Sequence, residues 1–150
     1  MSSNNNNNDS VISQEIKDKL YETATLAKDT AYTPYSKFRV GAALLSEDGT
    51  IFKGCNVENA SYGAAICAER TAYVKAVSEG HKNFKALVVT SDHEEFISPC
   101  GICRQFISEF GPAKLPVYLV NVKGETLSTT IEELLPYTFG IEQGRKYLIQ

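Results

Sequence analysis

Residues 40–57 read VGAALLSEDGTIFKGCNV. Val40–Leu45 is a run of small and aliphatic side chains, Glu47-Asp48-Gly49-Thr50 has turn chemistry, and Ile51–Val57 returns as a second apolar run. The stretch therefore predicts a β-hairpin, with Asn56 and Glu58 at the end of its second strand. Upstream, Ile16, Leu20, Thr23, Ala24 and Ala27 recur at helical spacing. They predict an amphipathic helix from Ser13 to about Asp29, broken by Thr33-Pro34-Tyr35-Ser36. Downstream, residues 65–77 have a helical pattern that stops at Gly80, and residues 86–90 form a short buried strand. Ile102, Phe106 and Ile107 then recur at helical spacing from Pro99 to Phe110, with Pro99 suited to a first helical turn. Residues 116–121 and 126–130 read as strands about a Lys123-Gly124 turn, and residues 131–135 as a short helix. This alternation predicts an α/β fold, a three-layer α-β-α sandwich around a mixed five-stranded sheet.

The 150 residues, 43% of them apolar, suit one domain over residues 11–150. Residues 1–10, with the run Asn4–Asn8, cannot bury enough surface to offset chain entropy and are expected to be a disordered tail. A net charge of −3 supplies no basic field for a phosphate polymer, so nucleic acid is not the expected substrate. No apolar run approaches the roughly 20 residues of a membrane span, and the amino terminus does not have the pattern of a signal peptide. The expected compartment is the cytoplasm. There, four cysteines at unequal spacing read as metal ligands or buried thiols, not as a disulfide framework.

Three of those cysteines carry the chemistry. Cys67-Ala68-Glu69 opens one predicted helix, and Pro99-Cys100-Gly101-Ile102-Cys103 opens another, placing Cys100 and Cys103 on one helical face. Together they supply three zinc ligands and one unattached carboxylate, the inventory of a catalytic zinc site that keeps a position for water. Glu69 is the candidate proton carrier. Acidic residues are favoured in a first helical turn in any case, which explains its type but not its place. Three thiolates give Zn²⁺ a negative first shell, and two helix N-termini with Arg70 are expected to offset it, Arg104 being the weaker candidate.

The rival reading is a structural zinc module closed by Cys55, which would have no hydrolytic chemistry. Cys55 lies in an apolar strand, where a free cysteine commonly packs as a small apolar side chain. His81 and His93 fall in polar, loop-like stretches and read as solvated. The segment Asn56-Val57-Glu58-Asn59 suits a ligand with vicinal hydroxyls, against the alternative that its amides and carboxylate merely cap a turn. Phe38 and Phe139 are candidates to stack on a planar base.

Four blocks in order give the chain a family resemblance. They are Tyr35-Ser36-Lys37-Phe38-Arg39-Val40-Gly41-Ala42-Ala43, Gly54-Cys55-Asn56-Val57-Glu58-Asn59-Ala60-Ser61-Tyr62, Cys67-Ala68-Glu69-Arg70-Thr71-Ala72 and Ser98-Pro99-Cys100-Gly101-Ile102-Cys103-Arg104-Gln105. With them the chain resembles the small homotetrameric cytidine deaminases of pyrimidine salvage. The resemblance implies one zinc per subunit, held by Cys67, Cys100 and Cys103, with Glu69 as proton shuttle, and hydrolysis of cytidine and deoxycytidine. It implies that Asn56 and Glu58 hold the ribose, Phe38 packs against the pyrimidine, the Ala68 amide and Ser98 carbonyl read the base's polar edge, and Arg70 and Gln105 tune the thiolates. It also implies that Ala60–Tyr62 and Phe139 enter a neighbouring subunit's site, so that activity needs the homotetramer. A related zinc deaminase acting on an aminopyrimidine antibiotic is the alternative within the same chemistry.

Overall fold

The computed structural model describes residues 12–148; the expected tail at residues 1–10 lies outside them. Five strands, β1 (Val40–Ser46), β2 (Ile51–Cys55), β3 (Phe84–Ser91), β4 (Pro116–Val120) and β5 (Thr126–Thr130), form one sheet in the order β2-β1-β3-β4-β5. β3 and β4 are parallel and every other pairing is antiparallel, so the sheet is mixed. The helices are α1 (Gln14–Ala27), α2 (Ala68–Ser78), α3 (Gly101–Phe110), α4 (Ile131–Leu134) and α5 (Ile141–Tyr147).

β1 explains the layering. Residues 41–46 are all buried because both faces of the strand are covered, which is why its sequence is apolar without alternation. Ala43 and Leu45 point to one face with Ala86, Val88, Tyr118 and Val120, and there meet Leu20 and Ala24 of α1. Ala42 and Leu44 point to the other with Leu87, Val89, Val117 and Leu119, and meet Ala68, Ala72 and Tyr73 of α2 and Cys103 and Ile107 of α3. Two glycines set how closely the layers approach. A side chain at Gly41 would overlap the Ala24 carbonyl of α1, and one at Gly54 would overlap the Ala68 carbonyl and lie 2.5 Å from the Ala72 nitrogen of α2. The start of α2 thus rests directly on β2, at the place where Ala68 and Glu69 must be positioned.

Local signals account for the ends. Ser13 caps α1 by accepting from the Ile16 N–H, and Thr130 caps α4 by accepting from that of Glu133. α2 closes at Gly80, whose N–H donates to the Val77 carbonyl while the His81 N–H donates to that of Ala76. Three expected boundaries move. The second hairpin strand stops at Cys55, because Val57 leaves the ladder to bridge Tyr32 and Ile66. α2 begins at Ala68 instead of residue 65, since residues 62–64 form a 3₁₀ turn and Ile66 is held in that bridge. Pro99 sits before α3, buried, and Cys100 is the capping residue. α5 was not foreseen: the sequence reading places no element after residue 135. Among the described residues, no helix is long and apolar enough to cross a membrane.

Candidate active site

The pairings Gly41↔Cys55 and Val40↔Ser91 bring three segments to one end of the sheet: the lead-in to β1, the segment after β2 and the loop after β3. α2 and α3 both begin there. Cys67 is the N-cap of α2, Cys100 the N-cap of α3, and Cys103 lies in the first turn of α3. Neither capping cysteine's sulfur accepts a bond from the backbone N–H groups of its helix, and the three Sγ atoms lie within 4.8 Å of one another, with Cys67 and Cys100 3.7 Å apart. Cys103 is buried, Cys67 half-buried and Cys100 exposed, so the cluster is open on one side. Cys55 stands outside it, its Sγ receiving the Thr30 hydroxyl at 3.7 Å.

The donor set fits a zinc ion. Three sulfurs converge from two helix N-termini, whose unpaired N–H groups and dipoles favour thiolate. Arg70, in the first turn of α2, places its terminal guanidinium nitrogen 3.6 Å from Cys67 Sγ. The Cys67 thiol is lowered to about 5, first by the hydrogen bond from Cys103 and then by those from Arg70 and Cys100. Cys103 is pushed up, by its hydrogen bond to the Cys67 thiolate and then by burial. Between Cys67 and Cys103 the thiolate is therefore favoured on Cys67, and a dication is the kind of partner that three converging thiolates suit.

Glu69 follows the capping cysteine by two residues and is 4% exposed, with Oε2 3.6 Å from Cys103 Sγ. Burial pushes its carboxyl up to about 7, and the charge on Cys67 adds to the rise. Arg104 faces away from the sulfurs. Its guanidinium donates to the Pro99 carbonyl at 2.8 Å, the Leu134 carbonyl at 2.7 Å and the Ser98 hydroxyl at 2.9 Å, bracing the turn that presents Cys100. Gln105 also points elsewhere, its amide donating to the carbonyl of Phe139 at 2.8 Å.

Glu58 and Asn56 are already engaged within the chain. Glu58 accepts from the N–H groups of Tyr35 and Ser36, at 3.0 and 3.1 Å, and from the Ser36 hydroxyl; that hydroxyl, foremost, holds its carboxyl below the usual range. Asn56 accepts from the Val40 N–H at 2.9 Å and donates to the Phe38 carbonyl at 2.7 Å. This is the turn-fixing network weighed from the sequence, yet each side chain retains hydrogen-bonding capacity. Glu58 lines a depression of about 330 Å³ with Tyr35, Ser36, Asn59, Tyr62 and Ala65. The Ala68 N–H occupies the first position of α2, where a helix supplies no partner. Ala60, Tyr62 and Phe139 are exposed, Tyr62 by 78%.

Two groups were not legible beforehand. Lys28, 6% exposed at the end of α1, donates to the Ser91 carbonyl at 3.2 Å and to Asp92 at 2.9 Å, and Arg39 pairs with the same carboxylate at 2.7 Å. The one available signal was that Lys28 follows Ala24 by four residues on the apolar face of α1. Neither histidine is merely solvated: His81 meets the Ser46 hydroxyl at 3.0 Å, and His93 stacks on Phe38 with ring centroids 4.2 Å apart and planes 16° from parallel.

Residues 14–119 match the family described as cytidine and deoxycytidylate deaminase zinc-binding region. The cytidine deaminase of Sporosarcina psychrophila is 55% identical over 125 residues, spanning 83% of this chain and 92% of its own. The crystal structure of cytidine deaminase from Burkholderia pseudomallei superposes with a TM-score of 0.79 at 45% identity, over 85% of this chain and 100% of that one. The blasticidin-S deaminase of Bacillus cereus is 35% identical over 129 residues, 81% of this chain and 90% of its own.

Proposed function

The chain belongs to the cytidine and deoxycytidylate deaminase zinc-binding family, and from that premise we propose that it hydrolyses cytidine and 2′-deoxycytidine to the corresponding uridines with release of ammonia, in pyrimidine salvage. The observation that carries the reading is a buried carboxylate, Glu69, set beside a converging trio of thiols that is open on one side. Cys67, Cys100 and Cys103 would hold the zinc, which when bound supplies the Lewis acidity that brings the pKa of water toward neutrality. The remaining work falls to the protein.

Glu69 takes a proton from the attacking water on a carboxylate oxygen and delivers it to the ring nitrogen next to the carbon that the water oxygen bonds. It then takes the second proton, from the hydroxyl now on that carbon, and passes it to the amine, which leaves as ammonia as the C–N bond breaks and the C=O forms. Its depth excludes bulk water, so the proton passes between carboxylate and substrate instead of leaking to solvent. Arg70 donates toward Cys67 Sγ and offsets the negative sulfur shell. The Ala68 N–H and the Ser98 carbonyl read the polar edge of the base. Phe38 packs on its face, and Asn56 and Glu58 receive the ribose hydroxyls with the capacity their internal bonds leave over. On this proposal residues 11–150 act as one catalytic domain in the cytoplasm, and Ala60, Tyr62 and Phe139 complete the site of a neighbouring copy in a homotetramer.

The test is loss of the cytidine ultraviolet band on mixing with zinc-loaded protein, run beside Glu69→Gln with its metal content measured. Turnover by the wild type alone, with zinc retained in both, is expected, and the variant should lose at least about 10³-fold in kcat if proton transfer and transition-state stabilisation are both removed. A folded, zinc-loaded wild type that leaves the band unchanged sinks the reading. The likeness to the blasticidin-S deaminase supports a second reading, deamination of an aminopyrimidine antibiotic; comparing kcat/KM for that compound and for cytidine decides between them.

A further inference from the structure

We infer that His93 is a positioning residue for the base, the outer layer of a two-ring wall whose inner layer is Phe38, and that it sets how tightly the pyrimidine is held. The inference rests on the proposed placement of the base against Phe38. Its starting point is the register of the sheet. The antiparallel ladder between β1 and β3 ends at Val40↔Ser91, and continuing the same register by two residues sets Arg39 against Asp92 and Phe38 against His93. Side chains make both pairings although the ladder has stopped. Arg39 forks onto Asp92 with bonds of 2.7 and 3.1 Å, and Phe38 stacks on His93.

Strand alternation separates the two pairs. Asp92 turns toward α1, where Lys28 and Arg39 hold it, so His93, the next residue, turns to the opposite face, the one that carries α2, α3 and the thiols. Val40, two residues after Phe38, packs against that same cluster. The Phe38–His93 pair therefore stands at the mouth of the candidate active site, and the Arg39–Asp92 pair locks it from behind.

Both backbones are prepared for this. Lys37 has φ of +60°, a left-handed conformation that lysine rarely adopts, and it redirects the chain immediately before Phe38. The Phe38 N–H donates to the Ser36 hydroxyl, and its carbonyl accepts from Asn56. On the other side the His93 N–H donates to the Ser91 hydroxyl, and its carbonyl accepts from the Val122 N–H at 3.0 Å. With both main chains fixed, the stack covers one face of the Phe38 ring and restricts its rotation. The base is left the other face or an edge, presented at a set angle.

The test uses the zinc-loaded full chain and three variants: His93→Ala, His93→Leu and His93→Phe. An aromatic pair of ordinary strength predicts a rise in the KM for cytidine of about 2- to 10-fold in the Ala and Leu variants, with kcat within about twofold of wild type. His93→Phe should restore the wild-type KM, and wild type and the Phe variant should show matching cytidine dissociation constants when each is placed in the inactive Glu69→Gln background. Unchanged KM in both Ala and Leu variants, or a raised KM that Phe does not restore, overturns the inference while leaving the deaminase reading intact. A wild type that neither turns over nor binds cytidine overturns both. Thermal melts of the three variants, expected to stay within about 5 °C of wild type because His93 is exposed and only one aromatic pair is lost, separate a lost wall from a lost fold.

Discussion

Cys55 and Cys103 carry the same thiol in opposite surroundings. Cys103 is buried among two other sulfurs and a carboxylate, whereas Cys55 ends β2 with the Thr30 hydroxyl on its sulfur. Replacing Cys103 by Ala removes one of three converging donors and is expected to bring bound zinc, measured by mass spectrometry of the native protein, well below one ion per chain. Cys55→Ala is expected to keep its zinc and its activity; metal loss there would restore the four-sulfur structural reading. At this scale the sequence was most legible for the groups that chemistry ties to short spacings. Cys67, Glu69 and Arg70 sit within one helical turn, and Cys100 and Cys103 within another, so motif and geometry coincide. His93 was opaque because its partner, Phe38, lies far away in the chain and meets it only through the β1–β3 register, which no local pattern encodes. Gln105 was opaque for the same reason, since its partner is the carbonyl of Phe139.

Elements meet at charges as well as at apolar faces, and the clearest case is Asp92, which ties the end of α1 and the lead-in of β1 to the end of β3. Its carboxyl is held down to about 2, first by the hydrogen bond from Arg39, with Lys28 contributing. A carboxylate whose pKa is lower in the folded chain stabilises the fold fully above the unfolded value near 4 and loses that contribution as pH falls toward 2. Because the side chain is 36% exposed, solvent screening reduces the contribution to about 1 kcal/mol. Urea unfolding of wild type and Asp92→Asn between pH 7 and pH 2.5 is expected to show a stability gap that is constant above pH 5 and shrinks below pH 4; a gap independent of pH would refute the linkage. The elements themselves were largely readable. The hairpin followed from Glu47-Asp48-Gly49-Thr50 between apolar runs, and α1 from the spacing of Leu20, Ala24 and Ala27. The errors came where tertiary contacts overrule local pattern: the Val57–Ile66 bridge shortened both the strand and the helix beside it. α5, with no buried residue, left no apolar stripe to detect.

On the whole molecule, large apolar side chains remain exposed around the site: Tyr32, Tyr35, Tyr62, Ile66, Ile102 and Phe139, with Tyr62 78% and Phe139 52% exposed. Isolated exposed apolar residues need no explanation, but Tyr35 and Tyr62 line the depression that holds Glu58, the Tyr32 carbonyl accepts from the Glu58 N–H, Ile66 precedes Cys67 and Ile102 lies between Cys100 and Cys103, and a closed symmetric assembly is a common way to cover such a surface. If neighbouring copies complete one another's sites, Glu69 and Phe139 must act in the same site from different chains. That separation has a consequence no monomeric enzyme shares. Glu69→Gln and Phe139→Ala homo-oligomers should each be strongly impaired, yet dissociating and reassociating them as a mixture should create some sites with an intact Glu69 from one chain and an intact Phe139 from another. Activity of the mixture is then expected to exceed that of either parent, reaching on the order of a quarter of wild type for random assembly with one donor of each kind per site. Native mass measured alongside should be four times the 16.5 kDa of the chain. A mixture no more active than the average of its parents, after exchange of chains has been shown by mass, would place both residues in one subunit and refute the shared site.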